Sequence, residues 1–174
     1  MTKTRQTLPP LDRAALTQLY NDNYDLVYRT IAFRVGDPQM VEDLTNEVFA
    51  RLLAALKKKR VREESYKGWL LTVSRNVVAD YYRKQKRWNM TQLTDQLQSA
   101  DQTPEQQVDK QIRMQRVAQA VAKLPESQQE VLALRFGAGM RIREVAAYLN
   151  KSLGAVKMLQ ARAITRLASE LEIV

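Results

Sequence analysis

Residues 140–171 read MRIREVAAYLNKSLGAVKMLQARAITRLASEL, and the spacing of their apolar positions decides what kind of chain this is. Ile142, Val145, Ala146 and Leu149 recur at the three- and four-residue steps that place side chains on one helix face. Val156, Leu159 and Ala163 repeat the pattern after a break at Asn150 and Lys151, with Ser152 placed to cap the second helix. Ala146 and Ala147 are small enough to let two helices cross closely. Two short helices joined by a tight turn form the helix-turn-helix pattern, whose second helix enters the DNA major groove by its N-terminal end. Gly154, Ala155, Lys157, Met158, Ala161 and Arg162 then face outward. Lys157 and Arg162 suit phosphates or a guanine edge, and Met158 and Ala161 suit thymine methyls and close approach. A plain helical hairpin with solvated cations has the same spacing, so spacing alone leaves both readings open.

Upstream, the same helical grammar continues. The chain holds only five glycines and five prolines, and they fall where helices start or stop. RVGDPQMVEDL ends one helix at Gly36 and opens the next with Asp37 as N-cap and Pro38 at the first helical position. DQTPEQQ repeats the logic through Thr103, Pro104 and Gln106 in a capping box. KLPESQQEVLALRF starts a helix at Pro125 that Gly137 and Gly139 close. Helices are expected over roughly 11–35, 38–58, 66–87, 105–123, 126–136, 141–149 and 153–170. The fold class is all-α.

Net charge is +9 over 174 residues. Residues 1–88 contribute +7, residues 89–110 contribute −3 and residues 111–174 contribute +5. The acidic stretch NMTQLTDQLQSADQTPEQQ is rich in Gln, Thr, Asp and Ser, a linker composition. The expected organisation is therefore two small helical domains, 11–88 and 111–174, joined by a flexible linker over 89–110. A basic surface attracts nucleic acid by releasing counterions from phosphates, although basicity also serves solubility. Absence of cysteine excludes a disulfide scaffold, a thiol nucleophile and thiolate-bound zinc, and suits a reducing cytosol. Absence of histidine removes the commonest general base and transition-metal ligand. No catalytic residue, cofactor or metal site is expected. The N-terminal MTKTRQTLPPLDR lacks the apolar segment of a signal peptide, and no stretch approaches a membrane span, so the expectation is a cytoplasmic protein without membrane insertion. No further domain is expected beyond Val174.

The helix over RNVVADYYRKQKRW (75–88) begins as a packing element and ends in cations. On a helical wheel Leu70, Val73, Val77 and Tyr81 form one side, while Thr72, Asn76, Asp80, Arg83 and Arg87 lie opposite. The first side packs; the second faces solvent or something anionic.

LTQLYNDNYDLVYRTIAFRVGDPQMVEDLTNEVFARLLAAL, then YKGWLLTVSRNVVADYYRKQKR, then LPESQQEVLALRFGAGMRIREVAAYLNKSLGAVKMLQARAITRL resemble, in that order, the extracytoplasmic-function (group IV) sigma factors of bacterial RNA polymerase. The likeness covers Leu11 to Leu171 apart from the linker. It implies a region 2 that binds the clamp helices of the polymerase largest subunit and opens the −10 promoter element. It also implies a region 4 that holds the flap of the second-largest subunit and reads the −35 element. On this resemblance EDLTNEVF carries the polymerase contact through Asp43, Asn46 and Glu47, with Leu44 and Val48 of the same segment expected to pack. Without it, these acids read as a solvated face favourable to the helix dipole. The −10 contacts fall on Arg75, Asn76, Asp80, Tyr82, Arg83, Lys84 and Arg87, with Tyr82 or Trp88 available to stack an unpaired base. Trp69 matches a family tryptophan of structural character, and the loop KKKRVREESY (57–66) matches the segment that captures a flipped −10 base. The −35 contacts fall on Gly154, Ala155, Lys157, Met158, Ala161 and Arg162. Leu159, Gln160 and Ile164 stand where relatives often carry Arg, Leu and Arg, which makes this recognition helix less basic than usual. FGAGMRIREVA replaces a more acidic family segment. Implied partners are core RNA polymerase, promoter DNA and, as is common in the family, an anti-sigma factor.

Two other classes compete. A self-sufficient helix-turn-helix regulator would dimerise and bind a palindrome without polymerase. A magnesium hydrolase would need Glu42/Asp43 or Glu63/Glu64, but adjacent carboxylates on a helix diverge by about 100° and do not converge on one ion.

Overall fold

Capping side chains set the helix starts. Asp12 accepts from the Ala15 N–H at 2.8 Å and opens α1 (Arg13–Ala32). Asp37 accepts from Gln39 N–H at 3.0 Å, and Pro38 takes the first position of α2 (Pro38–Lys57), as the sequence predicts. The computed structural model describes residues 12–58, 61, 66–91 and 105–171. Within them follow α3 (Tyr66–Thr91), α4 (Glu105–Ala122), α5 (Glu126–Leu132), α6 (Ile142–Tyr148) and α7 (Leu153–Glu170). There is no strand among the described residues. The cap at Thr103 and Pro104, the linker over 92–104 and Glu63 and Glu64 lie outside them.

Three boundaries differ from the sequence reading. α1 stops at Ala32 because its last turn tightens, with Arg34 and Val35 N–H groups both bonding to the Ile31 carbonyl. α3 runs past 87 to Thr91, since nothing in Trp88–Asn89–Met90 breaks a helix. α5 ends at Leu132 and passes into a π-helical turn, Ala133–Gly137, closed by Ala138 N–H to Ala133 O at 2.8 Å.

α1, α2 and α3 enclose one core in which Val27, Ile31, Val41, Val48, Leu52, Leu70 and Val77 are all but inaccessible to solvent. Trp69, Val73 and Tyr81 pack against it, as the wheel predicts for the last two. A second core gathers Val131, Leu134, Met140, Val145, Ala146 and Val156 from α5, the π-helical turn, α6 and α7. Leu124, Leu132 and Ala163 extend it towards Leu167.

The two helical domains are docked against each other. Leu71 of α3 is 3% exposed and packs in the second core, not the first, together with Leu26 of α1. Burying one such leucine contributes about 1.5–3 kcal/mol. The π-helical turn lies against α1, and Phe33 stacks on Phe136 with ring centroids 6.2 Å apart. Two glycines mark where backbones meet. A Cβ at Gly36 would stand 2.6 Å from the Gln115 Cα of α4, and one at Gly137 would stand 3.0 Å from the Arg29 carbonyl oxygen and the Thr30 Cα. The two cores thus share one seam.

Candidate nucleic-acid interface

α7 is held by its hidden side and presents the other. Ser152 Oγ accepts from the Ala155 N–H at 3.1 Å, the cap expected of it, and Asn150 takes the left-handed conformation (φ 51°) that turns the chain between α6 and α7. Val156 and Ala163 are fully buried, with Leu159 half-buried beside them. Gly154, Lys157, Met158, Ala161 and Arg162 are exposed, and Ala155 is half-buried. A Cβ at Gly154 would meet nothing within 4 Å, so the face ahead of the helix N-terminus is open. Gln160 is turned inward, accepting from Arg135 Nε at 3.2 Å, and Ile164 is exposed where a cation is usual.

On α3 the second candidate surface divides. From Arg83 to Met90 every side chain is exposed, including Lys84, Arg87 and Trp88, the last at 64%. Asn76 is exposed as well. Asp80 lies between Arg51 of α2, at 3.4 Å, and Arg83, which donates to its other oxygen. Partial burial pushes the Asp80 carboxyl up, but hydrogen bonds from Arg83 and Arg51 outweigh it and hold the group below the ordinary carboxylate range. Its carboxylate is occupied by cations, which removes it from the group of side chains free to touch bases. Tyr82 departs further from expectation. Its ring packs on the first core, its hydroxyl donates to the Arg34 carbonyl at 2.5 Å, and burial raises its pKa. A phenol so engaged cannot stack an unpaired base; exposed Trp88 can.

Arg75 is paired across the seam while remaining partly exposed. It donates to Glu130 of α5 at 2.6 Å, and that hydrogen bond raises its pKa. One turn earlier, Thr72 Oγ1 lies 2.7 Å from the Tyr148 hydroxyl of α6. Sequence reasoning missed Glu130 and Tyr148. The available signal was Leu71, an apolar residue about 100° round the helix from the Leu70 stripe and needing a second partner.

On α2, Asp43 and Asn46 are exposed and Glu47 is half-exposed, paired with Arg51 one turn on. Leu44 and Val48 are 6% and 0% exposed, so within the polymerase-contact segment they are packing residues of the first core and not surface contacts. Of the loop over 57–66, Lys57 and Lys58 are exposed and Val61 is buried. Among the described residues no cluster of His, Cys, Asp and Glu could hold a metal ion, and no helix is long and apolar enough to cross a membrane.

Family profiles described as "Sigma-70 region 2" and "Sigma-70, region 4" match residues 19–87 and 120–169. The chain is 36% identical over 157 residues to the ECF RNA polymerase sigma factor BldN of Streptomyces coelicolor, covering 88% of this chain and 59% of that relative's length. It is 30% identical over 166 residues to ECF RNA polymerase sigma factor SigD of Mycobacterium tuberculosis, covering 92% of this chain and 78% of the relative. Among solved structures, CnrH in complex with the cytosolic domain of CnrY superposes with a TM-score of 0.64 at 22% identity, covering 93% of this chain and 90% of that one. The sigma factor RpoE in complex with the anti-sigma factor NepR from Bartonella quintana gives 0.65 at 22% identity, covering 91% of this chain and 98% of that one. At that identity the two structures speak to fold alone.

Proposed function

Because the chain belongs to the extracytoplasmic-function sigma factors, we propose that it is a specificity subunit of bacterial RNA polymerase, working in the cytoplasm and carrying no catalytic step of its own. The observation that carries this reading is the pairing of two exposed cationic helical faces, Arg83 to Trp88 on α3 and Lys157 to Arg162 on α7, on separate cores. One face serves the −10 element and the other the −35 element. Asp43, Asn46 and Glu47 on α2 form the acidic surface for the polymerase clamp, remote in sequence from both. Arg83, Lys84 and Arg87 act at phosphates, Asn76 at a base and Trp88 as a stacking platform. In the −35 face Lys157 and Arg162 supply charge while Met158 and Ala161 supply apolar contact. An anti-sigma protein completes the set of partners.

DNA contact by the free protein is weak, since two small modules reach full avidity only when they are held at the spacing of the two promoter elements. Core polymerase fixes it. Purified protein added to core polymerase will give transcripts with defined 5′ ends that core polymerase alone does not give. Lys157→Ala will lower recruitment at those promoters and reduce the slope of log affinity against log salt by about one. Failure to form a stable complex with core polymerase overturns the proposal.

A further inference from the structure

Where α1, α3, α5 and α6 come together, a buried cation lines a small cavity without a counter-charge of its own. We propose that this cavity is a binding site for one chloride-sized monovalent anion, held by the Arg34 guanidinium.

The cavity measures about 20 Å³, and Leu71, Val78 and Leu134, each no more than 4% exposed, form its apolar wall. Its polar lining is Thr30, Arg34, Ser74, Arg75, Glu130 and Tyr148. Five of these six are already engaged. The Thr30 and Ser74 hydroxyls donate to the Leu26 and Leu70 carbonyls, each at 2.7 Å. Thr72 gives its proton to the Gly68 carbonyl at 2.9 Å, so the Tyr148 hydroxyl is the donor in its 2.7 Å contact with Thr72. Arg75 is answered by Glu130 at 2.6 Å. Arg34 is not answered by any charge. It is 6% exposed, it donates once, to the neutral Gln129 Oε1 at 3.1 Å, and its buried Nε has no partner among the described residues.

Two guanidiniums and one carboxylate give the lining a net charge of +1. A guanidinium keeps its proton in a protein, so burial cannot remove that charge by titration. Burial lowers the Arg34 pKa, and the fields of Tyr82, Glu126 and Glu130 work the other way. Glu126 is exposed and stands outside the lining, while Glu130 is engaged by Arg75. A water molecule would take the Nε hydrogen bond and leave the charge unmet; an anion meets both needs. Volume sets the size of that anion. One water needs about 10–15 Å³, so this cavity admits a single chloride or bromide and excludes phosphate, sulfate and organic carboxylates. Apolar walls on three sides strengthen the attraction by keeping the local dielectric low. Since the lining comes from both cores, the bound anion ties them together.

The test melts the full-length protein in two sodium salts at constant ionic strength. Replacing about 0.2 M gluconate, too large for the cavity, with chloride will raise the melting temperature by about 2–4 °C, as for one site filled at about fivefold its Kd. Arg34→Met will melt above native protein in gluconate and at the same temperature in both salts. Native crystals grown in bromide will show one anomalous peak within hydrogen-bond reach of Arg34 Nε, a readout that holds even if the variant fails to fold. A native melting temperature indifferent to chloride, or water at Nε with no bromide peak, overturns the site. So does a folded Arg34→Met protein that keeps the full chloride response, because the ion then acts elsewhere. None of these readouts involves polymerase or DNA, so the anion site and the proposed function fall separately.

Discussion

At the scale of single residues, Asp80 shows how a side chain's neighbours revise its role. Its position on α3, opposite the packing stripe, places it on the candidate DNA strip, but Arg51 reaches it from α2 and Arg83 from the same helix. No helical wheel contains Arg51. The hydrogen bonds from these cations depress the carboxyl's pKa, so its contribution to stability is present at neutral pH and is lost as pH falls below the ordinary carboxylate value of about 3.9. Because the pairs are partly exposed and screened by solvent, that contribution is about 1 kcal/mol or less. Urea titrations at pH 7 and pH 3 will show Asp80→Asn costing more stability at pH 7 than at pH 3. An equal cost at both would mean that the carboxylate's charge is irrelevant. Tyr82 teaches the same lesson: one turn of sequence cannot reveal that its hydroxyl meets the Arg34 carbonyl, a partner 48 positions away.

Helices were the most legible level. Asp37–Pro38, Ser152 and the apolar stripes of α6 and α7 set starts and faces through interactions within a turn or two, which sequence displays directly. Ser152→Ala will therefore cost about 0.5–2 kcal/mol, read as a lower midpoint in denaturant with unchanged slope. A change in slope instead would show that α7 loses more than its cap. Legibility ended at the π-helical turn. ALRFG carries no local mark of an i to i+5 turn; the form is set by the need to lay Gly137 on the backbone of α1 while keeping Leu134 in the second core.

For the molecule as a whole, the sequence supplied two domains and the composition of the stretch between them but not the seam. Docking depends on contacts such as Arg75 with Glu130 and Thr72 with Tyr148, separated by 55 and 76 positions, and neither pair has a periodic signature. Arg34 tests what this seam is for. Arg34→Met removes a buried cation whose Nε is unpaired while keeping much of its volume, and the desolvation relieved exceeds the one hydrogen bond to Gln129 that is lost. Calorimetry will show a higher melting temperature. A lower melting temperature would make Arg34 an integral support of the fold.

Leu70 and Leu71 are adjacent, yet each enters a different core. α3 therefore cannot be inherited as the property of one half alone. A recombinant joining residues 12–91 of this chain to the C-terminal half of a cousin would bring Leu71, Arg75 and the Arg29–Thr30 backbone against an unfamiliar wall. Crossovers within the intervening stretch will be neutral only when counterparts of Leu134, Glu130 and Gly137 come along, so the two halves are expected to change by compensating steps as lineages diverge.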